Sequence, residues 1–203
     1  MLNTFRESLC AGILITIGGT VFLSCENKTV GAVLFSVALL CICYKGYYLF
    51  TGKIGYIVEQ HKKQDFLNLA VGLFGNLIAT FFLGMLLRTV LPNIGEKAAE
   101  MCSAKLAQFP LYTFIRGFFC GILMYLAVSI YKEKNSVLGI LFCVPVFILC
   151  GFEHSIADMF YFGASGIFSV KIILFTALVV AGNTFGAIVL PLLKGVHTDE
   201  KQG

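Results

Sequence analysis

Six apolar segments, at roughly 8–25, 30–58, 66–91, 109–131, 137–162 and 170–193, leave this chain almost nowhere to put a polar surface. Each is about long enough to cross the hydrocarbon of a bilayer, which takes ~20 residues of helix. The 203 residues are 58% hydrophobic and only 13% charged, with a mean hydropathy of +0.89. A soluble domain has no way to cover so large a core with so little polar surface, so the chain reads as a single all-α transmembrane domain over residues 1–203. The first apolar run begins after Arg6-Glu7 and lacks a small-residue cleavage motif, so it reads as a retained span.

Two of the six segments are not clean helices. The second is interrupted by Tyr44-Lys45-Gly46-Tyr47-Tyr48-Leu49-Phe50-Thr51-Gly52, and the fifth carries Pro145 and then Gly151 through Asp158. The broken second segment is followed by a third with Gly75-Asn76-Leu77-Ile78-Ala79. The broken fifth is followed by a sixth with Gly182-Asn183-Thr184-Phe185-Gly186. Broken segments at matching places, each followed by a Gly-Asn pair, predict two inverted three-span repeats with a site or pore near the midplane.

Loop charge gives the orientation. One side receives Arg6, Lys53, Lys62, Lys63, Lys132, Lys134, Lys194 and Lys201, the other Lys28, Arg88, Lys97, Lys105 and Lys171. The excess places both termini in the cytoplasm, and an even span count puts them on one side. The net charge of +4 sits between spans and gives no nucleic-acid signal. The longest outer loop runs over 92–108. The tail 197–203 is too short for a domain, and with no Trp, Tyr and Phe serve as the interfacial belt. The eight cysteines match no zinc or redox spacing and read as small packing residues.

The segment Gly151-Phe152-Glu153-His154-Ser155-Ile156-Ala157-Asp158-Met159 places three ionisable groups where hydropathy says lipid. Such groups face a pathway or a partner. Apolar walls disfavour a charged imidazole, so His154 rests neutral, while an approaching anion favours the imidazolium. A weak acid with a pKa of about 4 is ionised in water, and neutralised at the constriction it can cross a barrier that excludes its charged form. Thr51, in the first interruption, is placed to hold the imidazole and select its tautomer. Glu153 reads as a structural group that caps a half-helix or accepts backbone hydrogen bonds. Asp158, four residues after His154, permits two metal ligands on one helix, but nothing completes the set, so no metal and no cofactor are expected. Phe35 and Leu39 share a helical face, Leu49 flanks the first break, and Phe147 lies two turns before His154. Pattern alone reads these four as lipid-facing or core residues rather than gates. A membrane-embedded enzyme using Glu153, His154 and Asp158 lacks a paired nucleophile or second histidine. A pore for neutral solutes and a non-transporting subunit of the same fold stand as the alternatives to anion transport.

Three ordered passages resemble the formate/nitrite transporter family. The stretch from Gly151 to Met159 is similar to its GFEHSxANM motif, with Asp158 in place of asparagine. Leu49-Phe50-Thr51-Gly52 matches LFTG, and Gly182-Asn183-Thr184-Phe185-Gly186 matches GNxxG. The resemblance implies homopentamers of aquaporin-like protomers, each with its own pore for formate, nitrite, hydrosulfide or short carboxylates such as lactate. It puts the pore histidine on His154 and its threonine partner on Thr51. It puts the hydrophobic constriction on Phe35, Leu39, Leu49 and Phe147, and an anion-attracting vestibular lysine on Lys105. Beside these, Glu153, Asn76 and Asn183 read from their positions as structural supports of the pore. The partners implied are a small monovalent anion, protons and the lipid bilayer of the cell membrane. The chain departs from the family at Tyr47 and Tyr48, where a small and an acidic residue are usual. It departs again at Gly121, where an asparagine follows Cys120, and at Met124-Tyr125. It is also shorter, without most of the amphipathic amino-terminal helix, so gating by that helix is not expected.

Overall fold

The structure is a computed structural model that describes residues 1–195; Lys201 and the 197–203 tail lie outside the described residues. The described residues fold into helices α1 (Leu2–Ser24), α2 (Lys28–Lys45), α3 (Phe50–Lys53), α4 (Lys63–Val90), α5 (Pro92–Leu106), α6 (Pro110–Lys134), α7 (Leu138–Leu149), α8 (Ser155–Ser165) and α9 (Lys171–Lys194). A 3-10 turn, Ile54–Val58, follows α3. Helices α1, α2, α4, α6 and α9 are each long and apolar enough to cross a membrane. The remaining crossing is assembled from α7 and α8, and α3 with its 3-10 turn completes the one begun by α2. At 28 residues, α4 is roughly 42 Å long at the usual helical rise.

Local chemistry sets the ends of these elements. Asn27 caps α2 by accepting hydrogen bonds from the Thr29 and Val30 amides at 2.9 and 3.1 Å. Proline stands at the first turn of both α5 and α6, where no intrahelical donor is lost. Helix α2 stops at Gly46 (φ +69°) and α7 at Gly151 (φ +68°). Both glycines take the left-handed conformation that other residues adopt only with strain. The closing bonds correspond. The Tyr47 amide donates to the Ile42 carbonyl at 3.1 Å, and the Phe152 amide to the Phe147 carbonyl at 2.9 Å. Gly46 therefore corresponds to Gly151, and Leu49 to His154, as the inverted repeat predicts. Thr51 corresponds to Ile156, two residues further into the half-helix.

The segment 92–108, expected as a loop, is instead mostly helix α5. Its pattern is too polar to read as a span, yet Ile94, Ala98 and Cys102 make one buried stripe. The Lys97 ammonium donates to the Leu23 carbonyl at the end of α1 (2.9 Å), tying α5 down. Helix α6 packs closely on α9, and α4 on both α8 and α1. Glycines at these crossings let backbones approach, as membrane helix packing favours. Large apolar side chains such as Phe74, Phe82, Phe142 and Ile173 remain on the outer surface.

Candidate functional site

Two asparagines hold the two breaks. The Asn183 side-chain oxygen accepts from the Ser155 amide (3.0 Å), and its amide group donates to the Gly117 and Glu153 carbonyls (both 2.9 Å). Asn76 repeats the arrangement. It accepts from the Phe50 amide (2.9 Å) and donates to the Ser8 (2.8 Å) and Tyr48 (2.9 Å) carbonyls. An apolar interior offers no water to backbone groups freed by a break, so a side chain from a neighbouring helix must pair them. Both asparagines are fully buried.

His154 is the N-cap of α8, with extended backbone (φ −112°, ψ 109°). Its Nδ1 accepts a hydrogen bond from the Ala157 amide at 3.1 Å. A nitrogen that accepts carries no proton, so the ring proton of neutral His154 lies on Nε2. Nε2 is 2.9 Å from Thr51 Oγ1 and donates to it. The Ala157 amide therefore selects the tautomer, a role the sequence reading gave to Thr51, and the hydroxyl receives the proton it presents. The imidazole stacks on Phe147 at 5.6 Å between centroids, and Phe147 meets Phe35 edge-on at 6.3 Å.

Cavities lie on both sides of this centre. The one on the α5 side has a volume of about 260 Å³ and is lined by Phe35, Phe147, His154, Lys105, Glu153 and Asp158, among others. The one on the opposite side is about 70 Å³, with Leu39, Leu49, Gly52, Lys53 and Lys132 in its wall. A water needs roughly 10–15 Å³ of such space, so both admit a small hydrated solute. The four apolar positions thus divide between the two faces of the centre, Phe35 with Phe147 and Leu39 with Leu49. All four are 3% exposed or less.

Lys105 does not stand in a loop. It lies in the last turn of α5, and its ammonium pairs with the Glu153 carboxylate and with Asp158 Oδ1 at 3.0 Å. Burial alone pushes the lysine down; Asp158 and Glu153 outweigh it and hold Lys105 protonated above its ordinary range. Gln108 donates to Glu153 Oε1 at 2.9 Å. The Glu153 side chain thus binds Lys105 and Gln108 and caps no helix, contrary to the role its position suggested; the capping falls to His154. Asp158, considered above only as half of a metal pair, is the second carboxylate on Lys105. Glu153 and Asp158 are five apart with a helix start between them, and the sequence alone offered no partner for either. Arg116 also lines the α5-side cavity, and its carbonyl accepts from the Glu153 amide at 3.3 Å. It was passed over because it sits within an apolar span.

The departures have structural counterparts. Gly121 faces α9, where an added Cβ would strike the Asn183 carbonyl, so this position belongs to a helix crossing. The Tyr48 ring covers Gly72, and the Lys53 ammonium lies 5.6 Å from its centre.

Comparison with known proteins agrees with this fold. A family model described as formate/nitrite transporter matches residues 1–194. The chain is 30% identical over 185 residues to the uncharacterised transporter YwcJ of Bacillus subtilis, covering 81% of this chain and 72% of YwcJ. It is 27% identical over 166 residues to the nitrite transporter NirC of Escherichia coli, covering 75% of this chain and 62% of NirC. Among solved structures, a pentameric formate channel with formate bound superposes with a TM-score of 0.75 at 26% identity, over 92% of each chain. An ion channel of the same family shares the fold at 22% identity, also with a TM-score of 0.75, over 95% of this chain and 87% of that one. These relatives are transporters or channels, not enzymes.

Proposed function

The chain belongs to the formate/nitrite transporter family, and from that premise we propose that it is a channel-like transporter of small monovalent anions, coupled to protons through His154. Formate, nitrite, hydrosulfide and short carboxylates are the candidate substrates. The observation that carries the reading is the placement of one buried imidazole between two cavities, with apolar pairs on either side. The nitrite and formate named for the relatives support the substrate class. The pentameric assembly of the formate channel supports a homopentamer of this single transmembrane unit. The excess of Arg6, Lys53, Lys62, Lys63, Lys132, Lys134 and Lys194 on the terminal side supports a cell-membrane protein with cytoplasmic termini.

The mechanism follows from the hydrogen bonds. A charged anion entering a dry constriction carries a large desolvation cost. At rest Nε2–H is donated to Thr51 and Nδ1 is held by the Ala157 amide. An anion that passes Phe35 and Phe147 takes the place of Thr51 at Nε2–H, and its charge offsets a second proton, which Nδ1 takes from water in the cavity. With both nitrogens protonated, the Ala157 amide leaves Nδ1, which costs α8 a capping bond worth about 1 kcal/mol. The imidazolium gives its Nε2 proton to the anion, which passes Leu39 and Leu49 as the neutral acid. Nε2 then takes a proton from water in the cavity, Nδ1 returns its own to that water, and the Ala157 amide recaptures Nδ1. Thr51 is the positioning partner, and Lys105 is the cation beside the cavity.

Uptake by purified protein in liposomes tests this reading, with formate, nitrite, hydrosulfide and lactate in parallel and an internal pH dye. Saturable flux with matching proton movement is expected. An intact assembly that moves none of them would be a non-transporting member, and water flux without anion flux would make it a neutral-solute pore.

A further inference from the structure

Asp158 stands where the family motif carries an asparagine, and the change adds a second acid to one base. The residue is 2% exposed. Oδ1 lies 3.0 Å from the Lys105 ammonium, Oδ2 has no partner among the described residues, and the residue lines the α5-side cavity. With every group ionised, Lys105, Glu153 and Asp158 sum to one net negative charge beside the path an anion takes. The positive end of α8 offsets about half a charge, which leaves the excess negative. The other titratable groups near Asp158 are Cys102 on α5, Cys120 on α6, Tyr161 one turn along α8, and His154. Arg116 of α6 lines the cavity at its exposed edge. Arg88 of α4 lies at the far end of α8, beside Gly166. Helix α1 contributes only Phe22 to the cavity wall, and neither α4 nor α9 contributes a lining residue. Like charges that share a buried site do not all ionise together, and a buried excess charge is removed by taking up a proton.

We propose that Asp158 is the proton-holding residue of this vestibule: the Lys105–Glu153–Asp158 cluster keeps one proton while it admits anions, and losing that proton leaves a negative charge that turns them away. In that step the O–H bond at Oδ2 breaks, the electron pair stays on the carboxylate, and the proton passes to water in the cavity. The consequence for transport rests on the anion-transport reading above; the proton itself does not.

The test uses the intact protein and Asp158→Asn, which keeps the shape and leaves the cluster with one acid for its one base. Initial rates of formate uptake are measured in liposomes at external pH from about 5 to about 8. The wild type is expected to lose roughly tenfold more of its rate across that range than Asp158→Asn, the effect of one added unit charge near a cavity mouth. Parallel pH profiles would overturn the proposal. Infrared titration of the purified wild type is the second arm. A buried carboxylic-acid carbonyl band that fades toward alkaline pH, and is absent from Asp158→Asn, supports the assignment. Absence of the band from the wild type overturns it, whether or not any anion moves. If Asp158→Asn does not assemble, Asp158→Glu serves, since its carbonyl band should shift and not vanish. Failure of the transport reading has a different signature, no anion flux in either protein at any pH, and the infrared arm still decides the proton.

Discussion

Replacing Asn183 with leucine removes the side chain that holds the α7–α8 break together. Three hydrogen bonds disappear, from the Ser155 amide and to the Gly117 and Glu153 carbonyls. Gly117 lies within α6, so its carbonyl keeps an intrahelical partner and loses little. The Ser155 amide and the Glu153 carbonyl flank the break and have no other pairing. A buried polar group left unpaired costs about 1–3 kcal/mol, whereas interhelical hydrogen bonds in membrane proteins average nearer 0.6 kcal/mol. Two orphaned groups and one weakened contact therefore predict a loss of about 2–5 kcal/mol. Equilibrium unfolding in mixed lipid–detergent micelles measures it. Because both orphaned groups adjoin His154, uptake by the folded fraction should also fall. A displacement of about 1 Å at a reacting group costs on the order of a hundredfold. Asn76→Leu should lose a similar stability, since Asn76 makes the matching set of bonds at the other break. An Asn183→Leu protein within about 0.5 kcal/mol of wild type, well below the cost of one orphaned buried group, with unchanged uptake, would refute the view that this residue organises the centre.

Three further outcomes follow from the same geometry. His154→Asn keeps a side-chain acceptor for the Ala157 amide, so it should assemble with near-normal stability while proton-linked uptake is lost; His154→Ala should lose the same flux and about 1 kcal/mol of stability as well. Thr51→Val is close in shape but leaves the imidazole N–H unpaired, so uptake should fall severalfold and stability by about 1 kcal/mol, read from liposome flux and unfolding midpoints. Gly121→Asn restores the residue the family usually carries, yet here it forces side-chain atoms into the Asn183 carbonyl; a loss of about 1–3 kcal/mol is expected from overpacking, and an unfolding curve that overlays the wild type would contradict the observed α6–α9 crossing.

The six crossings, the two interruptions, and His154 at the second of them could all be read before any fold was known. Hydropathy and the glycine at a helix end act within a few residues, so the sequence displays them directly. The Gly-Asn pairs were legible as a repeat, though not as the pins that hold the breaks. Asn183 and Ser155 meet only because α9 passes behind α8. Helix α5 was missed for a related reason: a polar, partly buried segment has no hydropathy signature, and its stripe becomes visible only against the helices it covers.

What the sequence by itself determined is the membrane class, the inverted pair of broken spans, and the residue types available at the centre. Each of these follows from local solvation cost and backbone sterics. Only the structure decided which nitrogen of His154 bears the proton, through the cap it makes on its own helix; tertiary contacts decided that Glu153 answers Lys105 and not a helix end, and that Asp158 joins them. The last two facts depend on groups from separate helices meeting where little water reaches. There each donor and each charge must find a partner, and folding supplies it from distant parts of the chain.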